Sequence, residues 1–153
     1  MKISAQEEFG LRILIRVAQS SDGLSINDIS LMEGITKPNV AKICRVLRMA
    51  GYLTSEKGHA GGYQLAKKPS EIGLKEVLNS LDKPIYHKGF CVRFSEEGEL
   101  CTKSIDCSVR SLWSVLQSQI DFVLEKLTLE DMLGKEKPTQ QAICNTTGIN
   151  YTF

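Results

Sequence analysis

From Phe9 to Ala18 apolar residues recur at helical spacing (Phe9, Leu11, Ile13, Leu14, Val17, Ala18), a pattern that predicts a helix running to about Ser20. Ser4 followed three residues later by Glu7 has the form of a capping box that would start this helix, and SSDG ends it. Ser25 with Asp28 opens a second, short helix expected to turn Ile26, Ile29 and Met32 inward, and Gly34 supplies its stop. Thr36 can cap a third helix, with Pro38 tolerated in its first turn. In that helix Val40, Ile43, Cys44 and Leu47 fall at i, i+3, i+4 and i+7 and make one buried face. Outside it stand Lys37, Asn39, Lys42, Arg45 and Met49, a basic and amide-rich face.

Two short helices joined by a tight turn containing glycine make a helix-turn-helix, whose second helix is the one suited to a major groove. YLTS and YQLA then read as two strands around KGHAGG, which completes a winged helix-turn-helix. Glycines in that tip let the backbone approach a narrow minor groove, and Lys57 supplies the cation such a groove attracts. The plainer alternative, a flexible hairpin loop, loses weight behind a helix-turn-helix with a basic outer face. LKEVLNSLD predicts a fourth helix. From Asp82 to about Lys103 no period is visible, a long connection for so small a chain and therefore one expected to be functional or disordered. Val109, Leu112, Trp113, Leu116, Ile120, Val123, Leu124 and Leu127 then repeat at spacings of three and four. This stripe predicts a rod of about 28 Å, longer than the preceding unit can cover, so pairing with the same helix of a second chain is expected. Trp113 would be a core or interface anchor. TLEDML reads as a last short helix, and the tail from Gly134 as polar, without period and mobile.

The expected architecture is thus mainly α, a winged helix-turn-helix DNA-binding domain with a long C-terminal dimerisation helix. Its divisions are 1–82 for the DNA-binding domain and 83–108 for a cysteine-containing loop. The dimerisation and final helices take 109–133, and a mobile tail takes 134–153.

The 153 residues suit one domain with a real core, and an apolar share of 42% beside a charged share of 24% is that of an ordinary soluble protein. No apolar run is long enough to cross a bilayer, and the first ten residues are polar where a signal peptide would be apolar. A cytoplasmic location is expected, where thiols stay reduced. Net charge is only +1, yet Lys37 to Lys68 carries seven basic residues against one acidic, Glu56. Such a patch can make phosphate contacts while the rest of the chain stays neutral. The choices for DNA contact are Lys37, Asn39, Lys42 and Arg45 on the third helix and Lys57, Gly58 and His59 in the wing.

Cys91, Cys101 and Cys107 are separated by nine and five residues in a loop that runs into the long helix. Three thiolates can hold an iron–sulfur cluster or zinc, each with a fourth ligand. Zinc is disfavoured by the lack of a close CxxC pair, and a metal-free thiol switch stays open. A catalytic cysteine would need a base, and the chain has only His59, read as a polar wing residue, and His87, read as a loop residue. Neither GxGxxG nor a P-loop occurs, so a cluster-bearing electron carrier or other enzyme is not expected. Cys44 reads as a small core residue, and Cys144 has no role.

MKISAQEEFGLRIL, INDISLMEGITKPNVAKICRVLRMAGYLTS, the wing KGHAGGYQLAK and the three-cysteine loop together resemble the Rrf family of winged-helix regulators, over residues 1 to about 133. That family includes IscR-type, NsrR-type and RirA-type members. The resemblance implies a homodimeric transcription factor, without enzymatic activity, whose iron–sulfur cluster, [2Fe–2S] or [4Fe–4S], changes its affinity for a pseudo-palindromic DNA operator. Cys91, Cys101 and Cys107 match the family's cluster cysteines. IscR-type members carry a histidine three residues after the third cysteine, where this chain has Arg110. In NsrR-type members an acidic residue of the other subunit near the start of the first helix serves instead, and Glu8 occupies that position. Glu7 belongs to the capping box, whereas Glu8 points elsewhere, either toward the cluster or into an i,i+4 ion pair with Arg12.

Overall fold

The computed structural model describes residues 3–56, 62–87, 89–94, 101, 103 and 105–149. Among the described residues six α-helices and one small hairpin follow in the order α1 (Ala5–Ala18), α2 (Ile26–Glu33), α3 (Lys37–Met49), β1 (Leu53–Ser55), β2 (Tyr63–Leu65), α4 (Leu74–Leu81), α5 (Ser108–Leu124) and α6 (Glu136–Thr147). Single turns of 3-10 helix occur at Pro69–Glu71, Phe90–Phe94 and Glu130–Met132. No helix of the described residues is long and apolar enough to cross a membrane.

The helix ends are set by local chemistry. The Ser4 hydroxyl accepts the Glu7 N–H at 3.2 Å while the Glu7 carboxylate accepts the Ser4 N–H at 2.7 Å, and Ser25 with Asp28 repeats this reciprocal cap. Gly34 closes α2 in the left-handed conformation, φ 65°, where a side chain would be strained. Thr36 starts α3 without a side-chain cap bond.

The core gathers Ile13 and Leu14 of α1, Ile29 of α2, Val40, Cys44 and Leu47 of α3, Leu53 of β1 and Val77 of α4. α1 approaches α4 at Gly10, where a Cβ would stand 2.4 Å from the Leu81 side chain. Met32, expected inside, is exposed. At about 100° per residue the inward position after Ile29 falls on Glu33, not on Met32. Glu33, its side chain only 9% exposed, is held there by Arg12 at 3.1 Å and Arg16 at 2.6 Å.

The hairpin pairs Leu53 with Leu65 and Ser55 with Tyr63 in antiparallel register. On its other edge Tyr63 forms a bridge to Leu24, the Tyr63 N–H donating to the Leu24 carbonyl at 2.8 Å and the Leu24 N–H to the Tyr63 carbonyl at 3.1 Å. The root of the wing is therefore sewn to the entry of α2.

A second backbone bridge joins Gly73 to Thr128. The Leu74 N–H donates to the Leu127 carbonyl at 3.0 Å and the Leu129 N–H to the Ile72 carbonyl at 2.8 Å, and Leu129 is wholly buried in the core. The segment after α5 thus returns to complete the winged unit, an anchor that a division of the chain at residue 82 does not anticipate. TLEDML is a bridge followed by one 3-10 turn.

The tail, expected to lack a period, is helical over Glu136–Thr147 and ends on Gly148 with φ 75°. Cys144 and Thr147 are its two buried residues, a stripe too short to stand out in a polar sequence. The connection from Asp82 is partly structured by the turn at Phe90–Phe94.

Candidate nucleic-acid interface and cysteine segment

α3 has the two faces expected of it. Val40, Ile43, Cys44 and Leu47 are buried, while Lys37, Asn39, Lys42 and Arg45 are exposed together with Arg48 and Met49. Its first turn carries no acidic residue, so the positive end of its dipole is not offset. Asn39, Lys42 and Arg45 succeed one another at intervals of three, one side-chain row along the helix. Burial pushes the Cys44 thiol up to about 12, which makes it a neutral packing group. Lys57, Gly58 and His59 lie outside the described residues.

Gly62, at the end of the glycine-rich tip, has a packing reason for its missing side chain. A Cβ there would fall 2.7 Å from the backbone of Leu24, and Gly23 meets Gly62 across the same contact.

Cys91 lies exposed in the 3-10 turn Phe90–Phe94, Cys101 is exposed, and Cys107 is half-buried at the N-cap of α5, where its sulfur accepts the Arg110 N–H at 3.3 Å. Three thiols in one segment are a soft donor set that fits iron or zinc. Among the described residues, however, no three His, Cys, Asp or Glu side chains gather closely enough to hold a metal ion. The fit is one of donor chemistry. Arg110 donates to the Ile105 carbonyl at 3.3 Å and cannot replace a ligand, because a guanidinium offers only donors.

Glu8 is exposed on α1, and the i,i+4 partner considered for it is engaged elsewhere: Arg12 is taken by Glu33. Among the described residues the Glu8 carboxylate makes no ion pair or hydrogen bond.

α5 buries none of its residues within the chain. Val109, Leu112 and Leu116 of the apolar stripe are exposed, as are Val115 and Phe122 beside it. Polar contacts tie α5 to the preceding elements. Lys75 of α4 reaches Asp121 at 3.2 Å and Glu125 at 2.5 Å. These partners, the Glu125 hydrogen bond foremost, raise the Lys75 pKa. Asp121 also accepts from Gln117 at 2.7 Å, and Gln117 accepts the Tyr86 N–H at 3.2 Å. Reading the sequence missed this set and the Arg12–Glu33–Arg16 clamp. One signal existed: an acidic residue in the last turn of a helix, where Glu33 stands, opposes the dipole and asks for a partner elsewhere.

Residues 3–135 match the family described as Rrf2, iron-dependent transcriptional regulator. The protein named rrf2 of Nitratidesulfovibrio vulgaris is 32% identical over 147 residues, which cover 95% of each chain. The solved structure of CymR (YrzC), the global cysteine regulator of B. subtilis, is similar with a TM-score of 0.67 and 27% identity, over 87% of this chain and 96% of that one. The structure of T. potens IscR is similar with a TM-score of 0.65 and 25% identity, over 87% of this chain and 86% of its own.

Proposed function

The chain belongs to the Rrf2 family of transcriptional regulators, and from that premise we propose that it acts as a homodimer whose affinity for double-stranded DNA is set by an iron–sulfur cluster. α3 enters the major groove, with Lys37, Asn39, Lys42 and Arg45 making backbone and base contacts, and Lys57, Gly58 and His59 reach the adjacent minor groove. Two such helices in one dimer call for a pseudo-palindromic operator. The apolar row of α5 packs against its counterpart in the second subunit.

Cys91, Cys101 and Cys107 hold the cluster, with Glu8 of the second subunit as fourth ligand. When bound, a [2Fe–2S] or [4Fe–4S] group supplies a centre responsive to iron, redox state or nitric oxide. The chain's part is to translate occupancy into position: the three cysteines, once ligated, order the segment between residues 91 and 107 and fix α5 and the spacing of the two α3 helices. The observation that carries this reading is Cys107 at the N-cap of the helix that bears the unpartnered apolar row.

Purification without oxygen, followed by visible absorption and iron and sulfide analysis, tests it. A brown protein with stoichiometric iron and sulfide is expected, and Glu8→Ala should alter its spectrum or lability. A protein that stays colourless after reconstitution would sink the cluster reading. The exposure of Cys91 and Cys101, with no gathered metal group among the described residues, favours a second reading in that event, a thiol switch without metal or a zinc loop.

A further inference from the structure

We propose that Gln117 and Lys75 are positioning residues that carry the state of the cysteine segment into the winged unit, through the continuous chain Tyr86–Gln117–Asp121–Lys75. The proposal rests on reading residues 91–107 as the sensing element, and it names how that element is coupled to DNA binding.

At the sensing end, Tyr86 packs its ring against Phe90 at 5.3 Å, and His87 meets the edge of the same ring at 6.3 Å. Phe90 opens the 3-10 turn that contains Cys91, with its N–H on the His87 carbonyl at 2.8 Å. A displacement of Cys91 therefore moves a small aromatic unit that ends at Tyr86. The Tyr86 N–H links this unit to α5, where it donates to Gln117 Oε1 at 3.2 Å.

Gln117 is suited to this place because it accepts with its carbonyl and donates with its amide, to Asp121 Oδ1, at the same time. A glutamate could not donate to a carboxylate, and an apolar residue would break both bonds. Asp121 passes the link to Lys75 through its second oxygen, and Glu125 holds the far side of the same ammonium. Lys75 stands in α4 beside Leu74, Val77 and Leu81, which are buried, and α4 packs against α3. Three polar contacts thus connect the segment before Cys91 to the helix that backs the DNA-facing one. When the segment shifts, Gln117 loses the partner that fixes its amide and Asp121 loses its second donor, which biases the seat of α5 on α4.

Stability alone is a poor reason for this arrangement. The side chains of Lys75, Asp121 and Glu125 are 22%, 31% and 57% exposed, and ion pairs that reach solvent to this degree add little to a fold. Removing one link should therefore leave the protein folded and change its coupling.

The test uses the full chain and a duplex recovered by the wild-type protein from a random-sequence pool. Affinity for it is measured with the exposed thiols unoccupied, with a reconstituted cluster, and with N-ethylmaleimide on the thiols. In the wild type, occupancy changes the affinity and the amide exchange of residues 74–81. Gln117→Leu and Lys75→Met should each shrink the ratio of occupied to unoccupied affinity by about threefold or more, with melting temperature, cluster spectrum and unoccupied affinity retained. Gln117→Glu should behave like Gln117→Leu, and Lys75→Arg should restore the wild-type ratio. Variants whose ratio matches the wild type, or a wild type indifferent to both treatments, would overturn the relay. A wild type that takes up no cluster yet responds to N-ethylmaleimide would end the cluster reading and still decide the relay through the variants.

Discussion

The Cβ that Gly62 lacks would stand 2.7 Å from the backbone nitrogen of Leu24, closer than a side-chain carbon can approach. Backbone cannot rotate aside as a side-chain tip does, so Gly62→Ala must part the wing root from the entry of α2 and strain the Tyr63–Leu24 bridge. A loss of about 2 kcal/mol or more is expected, read as a fall in melting temperature of several degrees. Gly34→Ala should cost about 1 kcal/mol by a different route, its φ of 65°, with open space around it. Equal effects from the two substitutions would refute the packing explanation.

The clamp on Glu33 is asymmetric. Glu33→Ala leaves two arginines that are 38% and 39% exposed and can turn to water, so a cost of about 1 kcal/mol is expected. Arg12→Ala combined with Arg16→Ala strands a carboxylate only 9% exposed and should cost about 3 kcal/mol. Chemical denaturation of both variants decides the order, and the reverse order would mean that Glu33 is better solvated than its position implies.

The cysteines should separate by reactivity. Cys91 and Cys101 are exposed and should take up an alkylating agent at neutral pH in the unligated protein, whereas Cys44 is buried and its thiol is pushed up to about 12, so it should be labelled only on unfolding. The same burial has a pH signature. The folded thiol titrates above its ordinary 9.0, so the stabilisation is full below about pH 9 and is lost as pH rises toward 12. Cys44→Ala should remove that part of the alkaline loss, and mass spectrometry of native, labelled protein checks the first half.

Lys42 lies in the middle of the exposed row on α3. Lys42→Ala should weaken binding to every duplex by a similar factor and lower the slope of log affinity against log salt by about one. An unchanged slope would remove α3 from the DNA surface assigned to it.

Legibility followed the range of the interactions. The caps at Ser4–Glu7 and Ser25–Asp28, the stop at Gly34 and the buried face of α3 are contests among residues three or four apart, and the sequence displays every contestant. The inward place that Glu33 takes from Met32 depends on two arginines of another helix, and spacing on α2 alone points the wrong way. Leu129 carries no local mark of being core, because the residue it bonds to is Ile72, far back along the chain. The basic row of α3 and the three cysteines were visible as chemistry. Their links to the rest, Lys75 to Asp121 and Tyr86 to Gln117, join positions more than thirty residues apart with no period to betray them.

Leu129 also sets a timetable. A ribosome that has released the wing and α4 has delivered nearly all of the apolar residues of the first unit, yet the segment that bonds to Ile72 and places Leu129 in the interior is still unsynthesised. Until about residue 129 emerges, the nascent chain holds an open seam, and the thiol-bearing segment and α5 must be made before the seam can close. Folding of the winged unit and synthesis of the cysteine segment and α5 are thus one event, and a chain broken off before Leu129 leaves a half-sealed core for proteases to find.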